Sequence, residues 1–343
     1  MSRVAVENAL KVVRQKFITT AASQFPHDSM EYDAVLYRTK MLFNKTVMGG
    51  KYARSSLCVK AYGALKPFST EEELKKVAQV ACTMEMVQSS YLILDDIMDQ
   101  SQTRRGEPCW YKRKNIGYGA INDGILIECF VDDLIEQIIP NHPNLNRILK
   151  AFRKSKRNTI LGQLIDSDSQ GKMASFTWER YEQLVQFKTS HYTYFLPIET
   201  ALLLADENSG HNDARGLAYL IGFLFQSQDD VMDVFGDPSV TGKVGTDLKD
   251  GKCTWLTVRA VQKLQDHKDM LAEWTELFGK TDDQSLSRMK RILEELQLHR
   301  EFRVFEDKYS AHVKEKINTA DSSLRPIAQV LLDSVDSIIK RSK

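Results

Sequence analysis

Residues 71–99 read EEELKKVAQVACTMEMVQSSYLILDDIMD, a run without glycine or proline. Ser69 followed by Glu72 makes a capping box at its start, so one long helix is expected from Glu71 to Asp99. Its last turns carry Asp95, Asp96 and Asp99. Positions i and i+4 of a helix lie on one face about 6 Å apart, so Asp95 and Asp99 are expected to point into one space. The pattern returns as Asp229-Asp230-Val231-Met232-Asp233, where Asp229 and Asp233 stand in the same relation.

A single acidic run on a helix is usually a solvated face or a partner for the N-terminal dipole. Both runs here interrupt apolar sequence, Tyr91-Leu92-Ile93-Leu94 before the first and Phe223-Leu224-Phe225 before the second. Acids beside such surface are costly to bury unless a metal or a cation neutralises them. Carboxylates without His or Cys favour hard ions, and Mg²⁺ is usually held by one or two carboxylates with waters and phosphates. The duplication therefore points to a diphosphate clamped between metal ions.

Outward from these motifs the pattern stays helical. Thr177 is expected to cap a second long segment through Phe195, broken near Pro197, and Leu217 to Phe235 reads as a third that stops at Gly236. Turn clusters at Gly49-Gly50, 117–119, 140–146, 208–212 and 237–251 separate the helices. Strand alternation of useful length is missing, so the fold is expected to be all-α, a single large bundle over residues 1–343.

With 343 residues and 42% hydrophobic content the chain can bury a substantial core. A formal net charge of +1 carries no footprint for nucleic acid. The five cysteines form no CxxC pair, which argues for a reducing compartment and against zinc or a disulfide framework. No apolar run reaches the roughly 18 residues of a membrane span. Arg3, Lys11, Arg14 and Lys16 look like a basic targeting segment. Val6, Leu10, Val13 and Phe17, however, line one face of a first structural helix, and that reading is preferred.

Basic residues accompany the acidic motifs. Gly49-Gly50-Lys51-Tyr52-Ala53-Arg54 offers backbone amides and two cations, and Thr103-Arg104-Arg105-Gly106 offers guanidinium forks for phosphate. Lys188-Thr189, Gly242-Lys243 and Gly251-Lys252 add three more cations. A lone basic pair usually belongs to the surface. Together with two acidic faces the set reads as a cage for two diphosphates.

The arrangement resembles the trans-isoprenyl diphosphate synthases, closest to the farnesyl synthases of animals. Gly49-Gly50-Lys51, Gln88, DDIMD with Thr103 to Gly106, Cys109-Trp110-Tyr111, Gly162-Gln163, Lys188-Thr189 and Gln226-Ser227-Gln228 before DDVMD carry the likeness, as do Phe235 to Pro238, Lys243 and Lys252. The resemblance implies a cytoplasmic all-α homodimer of the isoprenoid synthase type, with a central cavity and three Mg²⁺ ions. It implies head-to-tail condensation of isopentenyl diphosphate with dimethylallyl or geranyl diphosphate, most simply to farnesyl diphosphate. Asp95, Asp99 and Asp229 would ligate metal, with Asp96, Asp230 and Asp233 behind them or acting through water. Arg104, Lys188 and Lys243 would hold the allylic diphosphate, and Lys51, Arg54, Gln88 and Arg105 the isopentenyl diphosphate. Gly50 and Lys252 complete the substrate-binding set. Thr189, the Lys188 carbonyl and Gln226 would face the allylic cation.

Tyr91 lies four residues before Asp95 and Ser90 five, in the helix expected to set product length. Ser90 opens volume where the animal enzymes carry a bulky aromatic, or else accommodates a neighbouring helix. Ala53, Ser55, Ser89 and His191 also depart from the pattern. These departures keep two alternatives: a terpene synthase derived from a farnesyl synthase, which needs no isopentenyl diphosphate, and a noncatalytic regulatory subunit. The retained Lys51, Arg54, Gln88 and Arg105 favour chain elongation.

Overall fold

The computed structural model describes residues 3–236 and 245–342. The helices are α1 Arg3–Ala22, α2 Met30–Leu42, α3 Ala53–Leu65, α4 Glu71–Met98, α5 Gly119–Ile138 and α6 Leu145–Ser169. Next come α7 Trp178–Val185, a π-helical segment Gln186–Phe195, α8 Leu196–Leu204 and α9 His211–Phe235. The rest of the chain adds α10 Trp255–Leu264, α11 Lys268–Leu277, α12 Asp283–Glu295, α13 Leu298–Asn318 and α14 Ala328–Ile339. The only sheet among the described residues is a short hairpin, Thr103–Arg104 paired antiparallel with Glu107–Pro108.

The residues cluster into two compact units, Met1–Arg153 with Leu196–His211 and Lys154–Phe195 with Asn212–Lys343. In the first unit α4 is the central helix, packed by α1, α3 and α5. Val6, Leu10, Val13 and Phe17 of α1 are all buried, so the expected apolar stripe is core. Phe17 meets Phe130 of α5 edge to face at 5.6 Å. The second unit closes over Tyr181, Leu184, Val231, Val234, Trp255 and Trp274. No described helix is long and apolar enough to cross a membrane.

Three boundaries differ from the sequence reading. α4 is capped one residue later than expected: the Thr70 hydroxyl accepts from the Glu73 N–H, and the Glu73 carboxylate accepts from the Thr70 N–H at 2.7 Å. Ser69 is occupied elsewhere, donating to the Lys66 carbonyl at the end of α3. Because the sequence Ser-Thr-Glu-Glu-Glu offers two overlapping boxes, only this tertiary engagement separates them.

The helical run from α7 does not break near Pro197. It widens to a π-helix first and passes directly into α8 at Leu196, so the missing N–H of Pro197 falls just past the widened turns. Two glycines press on the wide segment. A Cβ on Gly162 of α6 would lie 2.3 Å from the Lys188 nitrogen, and one on Gly222 of α9 would lie 2.2 Å from Ser190 Oγ. The third helix, α9, begins at His211 rather than Leu217. Its first turns are polar and lack the apolar period, but His211 is pinned by Glu199 at 2.7 Å.

Candidate active site

In the first unit α4 delivers Asp95 and Asp96 from its last turn and ends on Asp99 as its C-cap. Asp96 is buried at 3% exposure. It is met by Arg104 of the hairpin, whose Nε and Nη2 donate to the same carboxylate oxygen at 3.0 and 2.5 Å. Arg104 also stands 3.6 Å from Asp95. Burial works against the Arg104 charge, yet Asp96 and then Asp95 outweigh it and raise the guanidinium pKa. The chain after the hairpin is fixed by the Trp110 indole N–H, which donates to Asp123 at 2.7 Å, and by Arg38, which grips the same carboxylate through two nitrogens.

The Gly49-Gly50 turn lies beside this hairpin. Gly49 takes φ of +82°, and its N–H donates to the Tyr52 hydroxyl at 2.8 Å. A Cβ on Gly50 would stand 3.0 Å from the Arg105 guanidinium, so that cation lies close against the turn. Arg105 also donates to the Met48 and Thr46 carbonyls at 3.1 and 3.3 Å. Lys51 is exposed, whereas Arg54, on the first turn of α3, is buried. Ser55 donates to buried Glu85 through both its N–H and its hydroxyl, at 3.0 and 2.7 Å. Gln88 is half-buried on α4.

Ser90 is 1% exposed, and its hydroxyl donates back to the Val87 carbonyl at 2.8 Å. A Cβ on Gly124 of α5 would stand 3.4 Å from the Ser90 carbonyl, so α4 and α5 approach closely there. Tyr91 is half-buried on the next position of α4.

In the second unit one hydrogen-bonded chain joins several expected residues. The Thr189 hydroxyl donates to the Gln226 side-chain oxygen at 2.7 Å, and the Gln226 amide donates to Asp230 at 2.8 Å. The second Asp230 oxygen accepts from the Tyr181 hydroxyl at 2.6 Å and from the Trp255 backbone N–H at 2.9 Å. Burial pushes the Asp230 carboxyl up to about 6, against the pull of these three donors. Lys188 Nζ is tethered to buried Asp166 at 2.5 Å, one turn beyond Gly162 on α6.

Asp229 is half-exposed and accepts from Arg341 at 3.2 Å. Asp233 accepts from the Asp247 N–H at 2.9 Å, and Lys252 lies 3.8 Å from the Asp247 carboxylate. Lys243, together with Gly242 and Asp237-Pro238, lies outside the described residues.

Two groups of residues escaped the sequence reading. Arg341, which reaches Asp229 and covers the Phe225 ring at 4.6 Å, sits in a short basic tail that carries no motif. Tyr181 and Trp255, the donors to Asp230, are aromatic positions indistinguishable by pattern from core. His191 is buried, with Nδ1 at 2.7 Å from the Tyr219 hydroxyl. Burial first, then Lys154 and Arg215, lower its pKa to about 4, which keeps the imidazole neutral at physiological pH.

Both acidic motifs are all-oxygen donor sets without His or Cys, which is the chemistry of Mg²⁺ rather than zinc. Among the described residues no three His, Cys, Asp or Glu side chains converge on one point. Asp95 and Asp99 at the end of α4, and separately Asp229 on α9, are carboxylates of the kind that hold an ion completing its shell with water and phosphate. Asp96 and Asp230 are turned instead onto protein donors.

The polyprenyl synthetase family model matches residues 38–296. Farnesyl pyrophosphate synthase of Rattus norvegicus is 35% identical over 314 residues, covering 89% of this chain and 88% of that protein. Farnesyl pyrophosphate synthase 1 of Cannabis sativa is 31% identical over 341 residues, covering 98% and 97%. Among solved structures, farnesyl diphosphate synthase of T. brucei in complex with a bisphosphonate superposes with a TM-score of 0.90 at 28% identity, over 98% of this chain and 100% of that one.

Proposed function

The chain belongs to the polyprenyl synthetase family, and on that premise we propose that it condenses isopentenyl diphosphate head to tail with dimethylallyl or geranyl diphosphate, yielding farnesyl diphosphate. It is a prenyltransferase whose chemistry depends on a divalent metal. One observation carries the reading: the family match over residues 38–296 spans both acidic motifs and the basic residues beside each. The match over nearly the whole length supports treating residues 1–343 as one catalytic domain.

Asp95, Asp99 and Asp229 would hold Mg²⁺, three ions in all, with Asp233 supporting them from behind. Asp96 and Asp230 steady their helix ends. When bound, the ions neutralise the diphosphate and stabilise the charge it takes on leaving. Arg104, Lys188 and Lys243 hold the allylic diphosphate, with Lys188 aimed by Asp166. Lys51, Arg54, Gln88 and Arg105 hold isopentenyl diphosphate, whose phosphates approach the Gly50 amide, and Lys252 adds positive charge near the second motif. Thr189, the Lys188 carbonyl and Gln226 offer dipoles to the allylic cation. The homoallylic alkene attacks that cation, and the released diphosphate takes the proton.

Ser90 and Tyr91 bound the growing tail. The protein is read as cytoplasmic and as a homodimer. Exposed Tyr118 at the N-cap of α5, exposed Ile125 on α5, and exposed Ile160 and Leu164 on α6 each offer apolar surface for a second copy.

Product analysis tests the reading. Purified protein with Mg²⁺ and geranyl diphosphate should make farnesyl diphosphate only when isopentenyl diphosphate is present. Terpene hydrocarbons or alcohols formed without it would make the protein a terpene synthase. Diphosphate binding without turnover would make it a regulatory subunit.

A further inference from the structure

Within the second unit a cavity of about 340 Å³ opens on the side of α7, α9, α10 and α13, lined by none of the residues assigned above to metal or substrate. Five rings wall it: Trp178, Phe223, Trp255, Phe305 and Tyr309. They brace one another, with Trp178 and Trp255 at 6.0 Å, Trp255 and Phe305 at 5.4 Å, Phe305 stacked on Tyr309 at 5.1 Å, and Phe223 and Tyr309 at 5.4 Å. The Trp178 indole is fixed by its N–H, which donates to Gln262 at 3.0 Å.

The charged part of the lining falls into a paired group and one carboxylate apart from it. Arg259 is turned onto Glu301 and Gln262, and Glu301 also takes Lys263 at 2.7 Å. Glu182 stands exposed at the rim with no cation on it among the described residues. It lies near enough to Tyr309 to add to burial in raising the phenol pKa. Glu301 is thus offset by two cations, and Glu182 is the lining carboxylate that none meets among the described residues.

Aromatic faces present negative charge to a ligand, and a box of them with a carboxylate at the rim suits a weakly hydrated organic cation. We infer that this cavity is a binding site for a small organic monocation of the trimethylammonium type, separate from the diphosphate site. The cavity also touches the residues that hold the second acidic motif, since Trp255 is one of its walls and its backbone N–H bonds Asp230. An uncharged ligand would gain the apolar contact but not the cation–π attraction. A phosphorylated one would bring negative charge beside the Glu182 carboxylate.

The test is ligand-observed NMR on the full-length protein, following the trimethyl signal of choline. Choline should saturate and bind at least about fivefold more tightly than its uncharged isostere, in which a tert-butyl group replaces trimethylammonium. Phosphocholine should bind more weakly than choline. W178F and the surface change E182Q should each weaken choline by about threefold or more while the thermal unfolding midpoint stays near wild type. Equal binding of the uncharged isostere would make the site merely apolar. Tighter phosphocholine binding would assign a headgroup or phosphate ligand. Choline binding unchanged in both variants would put the ligand elsewhere, and each of these three results overturns the inference.

Discussion

The two acidic motifs are near-identical in sequence and are held by opposite chemistry. In DDIMD the buried middle carboxylate, Asp96, is answered by a full positive charge, Arg104, delivered from a short hairpin. In DDVMD the corresponding Asp230 is answered by neutral donors alone, Tyr181, Gln226 and the Trp255 amide. A charge pair can be rearranged when a diphosphate arrives and competes for the guanidinium. A carboxylate locked by three neutral donors inside an aromatic core has no such exchange open to it. The first motif is therefore tied to a cation on a short hairpin, and the second to the packing of its own unit.

The largest expected effect falls on Asp95 and Asp229, the carboxylates proposed above to hold metal. Asp95→Ala and Asp229→Ala should each lower kcat/KM by about 10³-fold or more, since metal stabilisation of the leaving group is a matter of several kcal/mol. Unfolding midpoints near wild type should accompany the loss, and steady-state assays with isopentenyl and geranyl diphosphates decide it. Wild-type turnover in either variant would remove that motif from the metal site.

The contrast itself is open to a direct test by denaturant unfolding of the metal-free protein. Arg104→Met strands buried Asp96 without its counter-charge and should cost roughly 3 kcal/mol. Tyr181→Phe removes one of three neutral donors to Asp230 and should cost only about 1–2 kcal/mol. A loss in Tyr181→Phe as large as that in Arg104→Met would break the distinction drawn here.

The second unit should also carry a pH signature that the charge-paired motif lacks. His191 has a folded pKa near 4, below the ordinary value of 6.5, because burial disfavours its charged form. The unfolded chain then binds the proton more readily. Stability is fully present above about pH 6.5 and is lost as pH falls towards 4, by an amount on the order of 2 kcal/mol. Stability measured from pH 4 to 7 for wild type minus His191→Phe should show that rise, and a flat difference would mean that His191 is hydrated in the folded state.

The smallest effect sharpens the first unit's side of the comparison. Arg54→Ala should raise KM for isopentenyl diphosphate about tenfold, the worth of one charge-assisted contact, while KM for the allylic substrate stays within about twofold. Equal changes in both constants would show that Arg54 serves the fold or both substrates alike.

Much of this was legible before any coordinates. The absence of glycine and proline from 71 to 99 fixes a helix, the i and i+4 spacing of the acids places them on one face, and the α1 stripe of Val6, Leu10, Val13 and Phe17 is buried as its period requires. These are local properties of a helical backbone, and sequence reports them directly. The capping register was not legible, because Ser69 and Thr70 both satisfy the local rule and the choice rests on the end of the preceding helix. Nor was the π segment, which depends on Gly162 and Gly222 meeting it from helices far away in sequence.

The sequence by itself determined an all-helical chain, two carboxylate clusters with oxygen-only chemistry, and the cations that accompany them. The i and i+4 spacing already sets Asp95 with Asp99 and Asp229 with Asp233 on one face, and says nothing of what meets the middle acids. Tertiary structure alone decided the partners of buried Asp96 and Asp230, Arg104 arriving from the hairpin and Tyr181 and Trp255 from α7 and α10. A buried carboxylate must find donors to offset its lost hydration, and those donors come from wherever the chain packs.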